Sequence, residues 1–302
     1  MAFSKGKESK ESGSFKLYTG VGSMKVLAVN PKLEELEALY GREINGNVEY
    51  LSEAKDFSGQ GNSIPQVRID FIVKADPDKH EGVDFVNKVT FFLTKSWRYN
   101  RDQSKVQIID KYGRTAWATK EEYKNKAIPV YSNGNQANID KDYRLAYTGE
   151  EDLTKFVIAY LGISNPQNYV NGQWVMKPEN ELLDCEARLD CIEDYFKGNF
   201  NELREVIGYQ PNNKVKVLWG INTNNEGRQF ERAYTRMFLK NGVNDYSRLA
   251  KDVEAAKNAG GYPTTEFQVS EFHEYVVTPT NLSQPESSDL PFDNPTDDPF
   301  AL

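Results

Sequence analysis

The chain has 302 residues, of which 38% are hydrophobic and 27% are charged, and its formal net charge is −8. The composition is ordinary for a globular protein, and the length suits one elaborated domain or two modest ones. No run approaches the roughly eighteen apolar residues of a membrane span, and the polar N-terminus lacks the apolar segment of a secretory signal.

Cysteine and histidine are too scarce to predict a disulfide or a metal site. The two cysteines, Cys185 and Cys191, are six residues apart in a stretch of helical character, so they would not share a helix face. The two histidines, His80 and His273, are isolated in the sequence. We therefore expect no cofactor, no metal and two reduced thiols, as in a cytosolic protein.

The first predicted elements are a strand and a helix. Met24–Val29 is an apolar run typical of a strand. Asn30-Pro31 then supplies an N-cap and a proline at the first helical position. Apolar residues recur at helical spacing from Leu33 onward, and Gly41 is expected to end the helix.

Strands are predicted to dominate the region from about residue 24 to residue 119. In Val67–Val73 apolar residues alternate with polar ones, as in a strand with one buried face. The same alternation in Lys88–Thr94 predicts that the Phe92 ring is exposed. Two further runs, Lys105–Asp110 and Thr115–Thr119, flank a four-residue turn and predict a hairpin.

Residues 88–126 form a basic stretch that contains many aromatic residues. Ten Lys or Arg and four Asp or Glu give it a local charge of +6 in an acidic chain. Cations that contact phosphates and rings that stack on unpaired bases are what the binding of single-stranded nucleic acid requires. A solvated basic hairpin with its rings in the core would explain the same residues, and this stretch alone does not decide between the two.

A helical segment, about residues 148–208, is predicted to interrupt the strands. Thr148 and Glu151 have the spacing of a capping box, and an apolar stripe follows them up to Gly162. Further helices are predicted at Glu179–Phe196 and Asn201–Ile207.

A second stretch of cations and rings follows the predicted strand Lys214–Ile221. Between Arg228 and Lys240 every other residue is cationic or aromatic, so a strand would place all of them on one face. A helix would place an ordinary apolar stripe there instead, and the preceding strand and turn favour the hairpin. A helix at Asp245–Ala259 and an extended segment at Glu266–Val277 follow.

The end of the chain is acidic and rich in proline and serine. From residue 276 to residue 302 it holds five acids and no Lys or Arg. We expect a flexible basic arm at residues 1–16, a nucleic-acid-binding domain at 17–275 and a disordered tail at 276–302. Exposed rings in such a tail serve best as anchors for partner proteins, which predicts these partner-binding residues: Phe292, Asp297, Asp298, Pro299 and Phe300.

The tail tip and the basic, aromatic body together resemble the single-stranded DNA-binding proteins of bacteria and tailed phages. The tip Asp297-Asp298-Pro299-Phe300 is similar to the acid-acid-Pro-Phe ending of that class. The chain as a whole looks most like the versions that phages encode, of the crAss-like type. This resemblance implies an OB-fold, a five-stranded barrel elaborated here by helices in a mainly β, α+β chain.

The resemblance also implies a function without enzymatic activity. The protein would bind single-stranded DNA with little sequence preference during phage DNA replication, recombination and repair, in the cytoplasm of the bacterial host. Its tail would recruit replication and recombination enzymes; self-association stays open, and no membrane is involved. The predicted nucleic-acid-binding residues are Lys88, Phe92, Lys95, Trp97, Arg98, Tyr99, Arg101, Lys105, Tyr112, Arg114, Trp117, Arg228, Phe230, Arg232, Tyr234 and Arg236.

Two other functions fit parts of the sequence. The acids Asp184, Glu186, Asp190, Glu193 and Asp194 could serve a Mg²⁺-dependent nuclease, although a solvated helix face explains them more simply. A structural or cargo protein of a virion would also be rich in aromatic residues. RNA is a further alternative as the ligand, because rings and cations do not distinguish the sugar.

Overall fold

The computed structural model describes residues 15–44, 46–55, 63–208, 210 and 212–277. Within these ranges the protein is mainly β with some helix, as the sequence predicts. The strands are β1 Phe15–Val29, β2 Leu51–Lys55, β3 Ser63–Ala75, β4 Val86–Trp97, β5 Lys105–Asp110, β6 Thr115–Thr119, β7 Tyr143–Leu145, β8 Tyr147–Thr148, β9 Gln167–Val170, β10 Gln173–Met176, β11 Lys214–Thr223, β12 Gln229–Ala233, β13 Leu239–Lys240, β14 Thr265–Phe267 and β15 His273–Val277. The helices are α1 Leu33–Tyr40, α2 Lys120–Lys124, α3 Glu150–Leu161, α4 Glu179–Leu182, α5 Ile192–Tyr195, α6 Asn201–Gly208 and α7 Ser247–Asn258.

The main sheet is antiparallel and curls into a half-barrel. Its strand order is β12-β11-β1-β3-β4-β8, and shorter strands add to β1, β3 and β11. The long strand β1 pairs with β11 through Gly20–Lys25 and with β3 through Met24–Val29, with a register shift between Val26 and Ala28. The curl brings β12 into contact with β4, although the two strands share no ladder.

The main core fills the concave side of this sheet. Alternate residues of β3 and β4, such as Phe71 and Phe91, point inward and meet Phe156 of α3. Helix α6 closes the same core through Leu203. The alternation predicted for Val67–Val73 and Lys88–Thr94 is therefore confirmed, and Phe92 points outward with 39% of its surface exposed.

Two helices cover parts of the convex side. Helix α7 packs Leu249 and Val253 on Val21 and Leu218 of the sheet, while α1 packs Leu36 on Ile72 near the other end. As predicted, Gly41 ends α1, and it does so in a left-handed conformation. The predicted N-cap is wrong, because α1 starts after Lys32 and the Asn30 side chain instead bonds the backbone of Arg68 and Asp70. Between these helices the outer face of β3 and β4 carries polar side chains.

Two smaller sheets lie outside the half-barrel. The hairpin of β5 and β6 forms with the predicted bounds, and β7 adds to β5. The hairpin of β9 and β10 was not predicted from the sequence, because its four-residue strands lie in a segment dominated by helical signals. It is the only described sheet made of two strands alone.

The body extends further toward both termini than the sequence indicated. Strand β15 pairs with the start of β1, with Lys16 opposite Val276 and Phe15 opposite Val277. Residues 15–16, predicted to belong to the arm, and residues 276–277, predicted to belong to the tail, are therefore part of the β1–β15 ladder. The rest of the arm and tail, with the predicted partner-binding residues Phe292 and Asp297–Phe300, lies outside the described residues.

Two local predictions for the segment 148–208 are wrong. Thr148 and Glu151 do not form a capping box, because α3 starts after Gly149, and Glu151 instead pairs with Arg98. The helix predicted over 179–196 breaks between α4 and α5. There the N–H of Ala187 donates to Lys111 O at 2.8 Å, so pairing with the β5–β6 turn overrides helix propensity.

The stretch 228–240 begins as a strand, so the hairpin that the sequence favoured over a helix is confirmed for its first part. In β12 Phe230 and Arg232 are half-buried on one face, while Glu231 and Ala233 are buried on the other. The alternation does not continue, because the chain leaves the ladder after Ala233 and forms only the short β13 beyond it.

His80 gives the fold a pH dependence that can be measured. Its Nε2 accepts a hydrogen bond from Ser23 N at 3.0 Å, and its ring packs against Phe272. Burial lowers the pKa of His80, although the carboxylates of Asp76 and Glu271 oppose that shift and Lys216 and Lys79 add to it. The folded protein therefore holds the neutral imidazole at a pH where the unfolded chain would already bind a proton.

The stability contributed by neutral His80 should be complete above the unfolded value of about 6.5 and should be lost as the pH falls below it. We expect the urea midpoint to fall more between pH 7.5 and pH 5.5 in the wild type than in His80→Gln. His273→Gln, at the exposed histidine, is the control and should keep the wild-type pH dependence. Equal pH dependence in the wild type and His80→Gln would contradict the assignment.

Candidate nucleic-acid interface

Five of the predicted binding residues are exposed along β4 and the turn that follows it, and a register shift between Thr94 and Trp97 separates the first of them from the last three. They are Phe92, Lys95, Trp97, Tyr99 and Arg101, and we call them the β4 row. The three rings expose 39%, 38% and 46% of their surface, which is enough for a base to reach them. From Phe92 to Tyr99 the strand rises about 23 Å, at roughly 3.3 Å per residue.

Neighbouring side chains hold part of this row in place. Trp97 stacks on Tyr147, with ring centroids 4.5 Å apart and an interplanar angle of 22°, so one face of its indole is held. Lys95 forms an ion pair with Glu193 at 3.0 Å and lies over the Phe196 ring. Part of the row is therefore ordered before any ligand binds, which reduces the loss of side-chain conformational entropy on binding.

Beside Phe92, the outer face of β3 and β4 carries a polar cluster that sequence analysis did not single out. Arg68 lies opposite Phe92 in the ladder, pairs with Asp70 at 3.2 Å and covers the Tyr50 ring. Thr90 Oγ1 donates to Asp70 Oδ1 at 2.8 Å, and Lys88 Nζ lies 3.9 Å from Asp70 Oδ2. Two cations thus share one buried carboxylate, which leaves the cluster positive.

Two tyrosines border this cluster from the region that connects α1 to β2. Burial raises the pKa of Tyr40 and of Tyr50, and the charge of Asp70 raises both further. Both hydroxyls therefore stay protonated at neutral pH and can donate hydrogen bonds. The polar alternation of β3 pointed to Arg68, but only the register of β3 and β4 shows that it lies beside Phe92.

Several predicted phosphate contacts instead form ion pairs within the protein. Arg98 pairs with Glu151 at 3.2 Å, and Arg228 pairs with Glu226 at 3.4 Å. Arg114 donates to Asp110 and is largely buried in that pair. Together with Lys88 and Lys95, these cations have a structural partner, so a phosphate would have to compete with a carboxylate for them.

The free positive charge lies at the turn between β4 and β5. Arg101 and Lys105 form no ion pair with any acid in the described ranges, and Arg101 is exposed. Strand β6 places Thr119 opposite Lys105, and the helix α2 that follows carries Lys120 and Lys124, both exposed. This end of the β4 row therefore offers a phosphate backbone four cations outside the ion pairs of the described residues, of which Lys105 also interacts electrostatically with Glu122.

Two of the predicted stacking rings are buried, and for them the prediction of an exposed ring is wrong. Tyr112 is 4% exposed beneath Lys111 and Arg114, because the β5–β6 turn folds back on α3. Tyr234 is fully buried, and its hydroxyl donates to Asp252 of α7 at 2.6 Å. Both rings serve the core.

The remaining candidates are half-buried and lie apart from the β4 row in the sheet order. Trp117 faces outward on β6 opposite Gln107, whose amide donates to Glu151. On β12, Arg232 covers the ring of Tyr262. The others in this group are Phe230 and Arg236.

Asp152, near the start of α3, interacts electrostatically with Arg98 and with Tyr262, the ring that Arg232 covers. Burial raises the pKa of Asp152, and Arg98 is among the cations that oppose this shift. Asp152 in turn raises the pKa of Tyr262, which Arg232 lowers. Arg98 and Tyr262 therefore both interact electrostatically with Asp152.

The acids considered for a nuclease do not converge. Glu186 pairs with Lys111, Glu193 with Lys95 and Asp194 with Lys197. Among the described residues, no three His, Cys, Asp or Glu side chains are arranged to hold a metal ion. Cys185 is buried and Cys191 is exposed, and both are free thiols.

None of the described helices combines the length and the apolar character that crossing a bilayer requires. Comparison of the chain with protein-family models, with curated proteins and with solved structures found no match.

Proposed function

We propose that the protein binds single-stranded DNA with little sequence preference, and that it does so along the β4 row. The observation that carries this proposal is the row itself, in which three exposed rings and two cations, Lys95 and Arg101, lie along β4 and the turn that follows it, over about 23 Å from Phe92 to Tyr99. Each ring can stack on a base of any sequence, for roughly 1–3 kcal/mol. A duplex hides its base faces, so the row favours unpaired strands.

The topology supports the OB-like barrel expected from the resemblance to phage single-stranded DNA-binding proteins. The strand order β12-β11-β1-β3-β4, with β12 in contact with β4, supplies five strands around one core. Helix α3 lies between β4 and β11 in the chain and packs in that core. In OB-folds the second and third strands form the binding face, and here those strands would be β3 and β4.

The distribution of charge also supports the proposal. Residues 278–302 carry five acids and no Lys or Arg, so the rest of the chain has a net charge of −3 (−8 plus 5). A body this close to neutral can bind a polyanion through a local positive region such as the β4–β5 turn. The acidic tail would recruit replication, recombination and repair enzymes in the cytoplasm of the bacterial host of a phage.

The test is a titration of the purified protein with labelled single-stranded DNA, duplex DNA and RNA at two salt concentrations. We expect single-stranded DNA to bind most tightly and the log–log slope against salt to be near −0.7 per phosphate contacted. A chain that ends at Val277 should bind as well or better, which assigns binding to the body and leaves recruitment to the tail. Equal affinity for duplex, or no binding at low salt, would overturn the proposal.

A further inference from the structure

The hairpin of β9 and β10 is an exposed, uncharged feature that the proposed function does not use. Its ten residues, Gln167–Met176, contain no charged side chain in a chain that is 27% charged. Tyr169 and Trp174 expose 63% and 56% of their surface, and Val170 and Val175 expose about half. The turn residues Asn171 and Gly172, both with positive φ, close it as a tight two-residue hairpin.

The phase of the hairpin ladder shows which backbone groups are unused. Beyond the strands, Lys177 N donates to Pro166 O at 2.8 Å, so the hydrogen-bonded pairs are 166 with 177, 168 with 175 and 170 with 173. The N–H and C=O groups of Trp174 and Met176 therefore point outward from the β10 edge. On the β9 edge the N–H of Gln167 already donates to Asn165 Oδ1.

The β10 edge lacks the features that keep strand edges from pairing. Natural edges are blunted by lysines, prolines, bulges or a covering element. The sequence of β10 is Gln-Trp-Val-Met, and the nearest lysine and proline, Lys177 and Pro178, come only after its last residue; its register with β9 is regular, and no other described strand pairs with it. An open edge with apolar side chains is a template for another strand.

We propose that the β10 edge pairs antiparallel with the β10 edge of a second copy of this chain, giving a four-stranded sheet about a twofold axis. A twofold interface must be complementary to itself, and an uncharged strand meets that requirement without like-charge repulsion. Two chains with a net charge of −8 each repel one another, and an uncharged patch adds no local repulsion where they meet.

The charges beside the hairpin favour a second copy over nucleic acid as its occupant. Arg114 lies 3.9 Å from Met176 Sδ but is paired with Asp110, and Lys111 nearby is paired with Glu186. The hairpin has no cation of its own for a phosphate. Its rings therefore lack the partner charge that the β4 row has at Arg101.

The interface is small, so association should be weak. We expect a Kd on the order of 10–100 μM, as for contacts below the standard size of stable complexes. The experiment is sedimentation equilibrium of the full chain over a concentration series. The wild-type mass should rise from 34.4 kDa toward twice that value.

Val175→Lys should weaken dimerisation at least about tenfold, because two lysines would face each other across the axis. Val175→Glu should do the same alone, and an equimolar mixture of the two variants should restore the dimer. Val130→Lys is the matched control, since Val130 is equally exposed at 49%, and it should dimerise like the wild type.

A wild type that stays monomeric throughout the series, or a Val175→Lys protein that dimerises normally, would overturn the proposal. So would a Val175→Lys protein that loses oligonucleotide affinity while the wild type does not self-associate, because the hairpin would then belong to the nucleic-acid interface. Since the readout is mass without DNA, failure here leaves the proposed DNA-binding function untouched.

Discussion

A protein in which Trp97 and Tyr99 are both replaced by alanine should bind single-stranded DNA at least about 30-fold more weakly than the wild type. The two rings are 38% and 46% exposed and lie two residues apart in the β4 row. Loss of two base stacks at roughly 1–3 kcal/mol each corresponds to a loss of about 30-fold or more. The measurement is fluorescence anisotropy of a labelled poly-dT oligonucleotide.

The salt dependence separates stacking from a loss of charge. Because neither ring carries charge, the double variant should keep the wild-type log–log slope against salt. Arg101→Ala should instead reduce the slope by about 0.7, since one phosphate contact disappears. If the double variant changed the slope and Arg101→Ala did not, the assignment of stacking and charge within the β4 row would be wrong.

A matched control guards against indirect effects of these substitutions. Tyr275→Ala removes a ring that is 38% exposed, as Trp97 is, but that lies on β15 beside the start of β1. It should leave affinity unchanged. Because Trp97 also stacks on Tyr147, the unfolding midpoint of the double variant must be shown to lie well above the assay temperature. Normal folding with unchanged affinity would remove both rings from the site.

Gly149→Ala should destabilise the fold by at least about 3 kcal/mol. Gly149 precedes α3 with φ of +87°, a conformation that disfavours any side chain. A Cβ there would also overlap the backbone carbonyl oxygen of Phe92 on β4. Backbone cannot move aside as the end of a side chain can, so α3 or β4 would have to shift.

The control for this substitution lies at the other end of the same helix. Gly162 ends α3 with φ of +66°, but a Cβ there meets nothing within 4 Å. Gly162→Ala therefore incurs only the left-handed backbone penalty of about 1 kcal/mol. Urea unfolding should rank the wild type above Gly162→Ala, and Gly162→Ala well above Gly149→Ala. Equal losses would mean that the contact with Phe92 O does not matter.

Because Gly149 packs on Phe92, its substitution also bears on the β4 row. A folded Gly149→Ala protein should bind DNA more weakly, since the strand that carries Phe92 would be displaced. The loss of unfolding free energy and the loss of DNA affinity in this variant would then have the same cause, the contact between Gly149 of the α3 start and Phe92 of β4.

Patterns of short period could be predicted from the sequence. The alternation in Lys88–Thr94 placed Phe92 outside the core, and the flanked turn gave both strands of the β5–β6 hairpin. The exposure of Lys95 and Trp97 does not follow from that alternation, which would turn odd positions inward, and it coincides with the register shift between Thr94 and Trp97. The helix predicted over 179–196 failed where Ala187 pairs with Lys111 from a different part of the chain.

By itself, then, the sequence determined the mainly β character, the outward position of Phe92 and the local excess of positive charge at residues 88–126, because these depend on residues close together in the chain. The tertiary structure alone decided that Tyr112 and Tyr234 are buried, that Arg98 and Arg114 are paired with acids, and that Arg68 lies beside Phe92. Those features depend on which distant segments pack together. Strand register and ion-pair partners are set by the energy of the whole core, which no local pattern records.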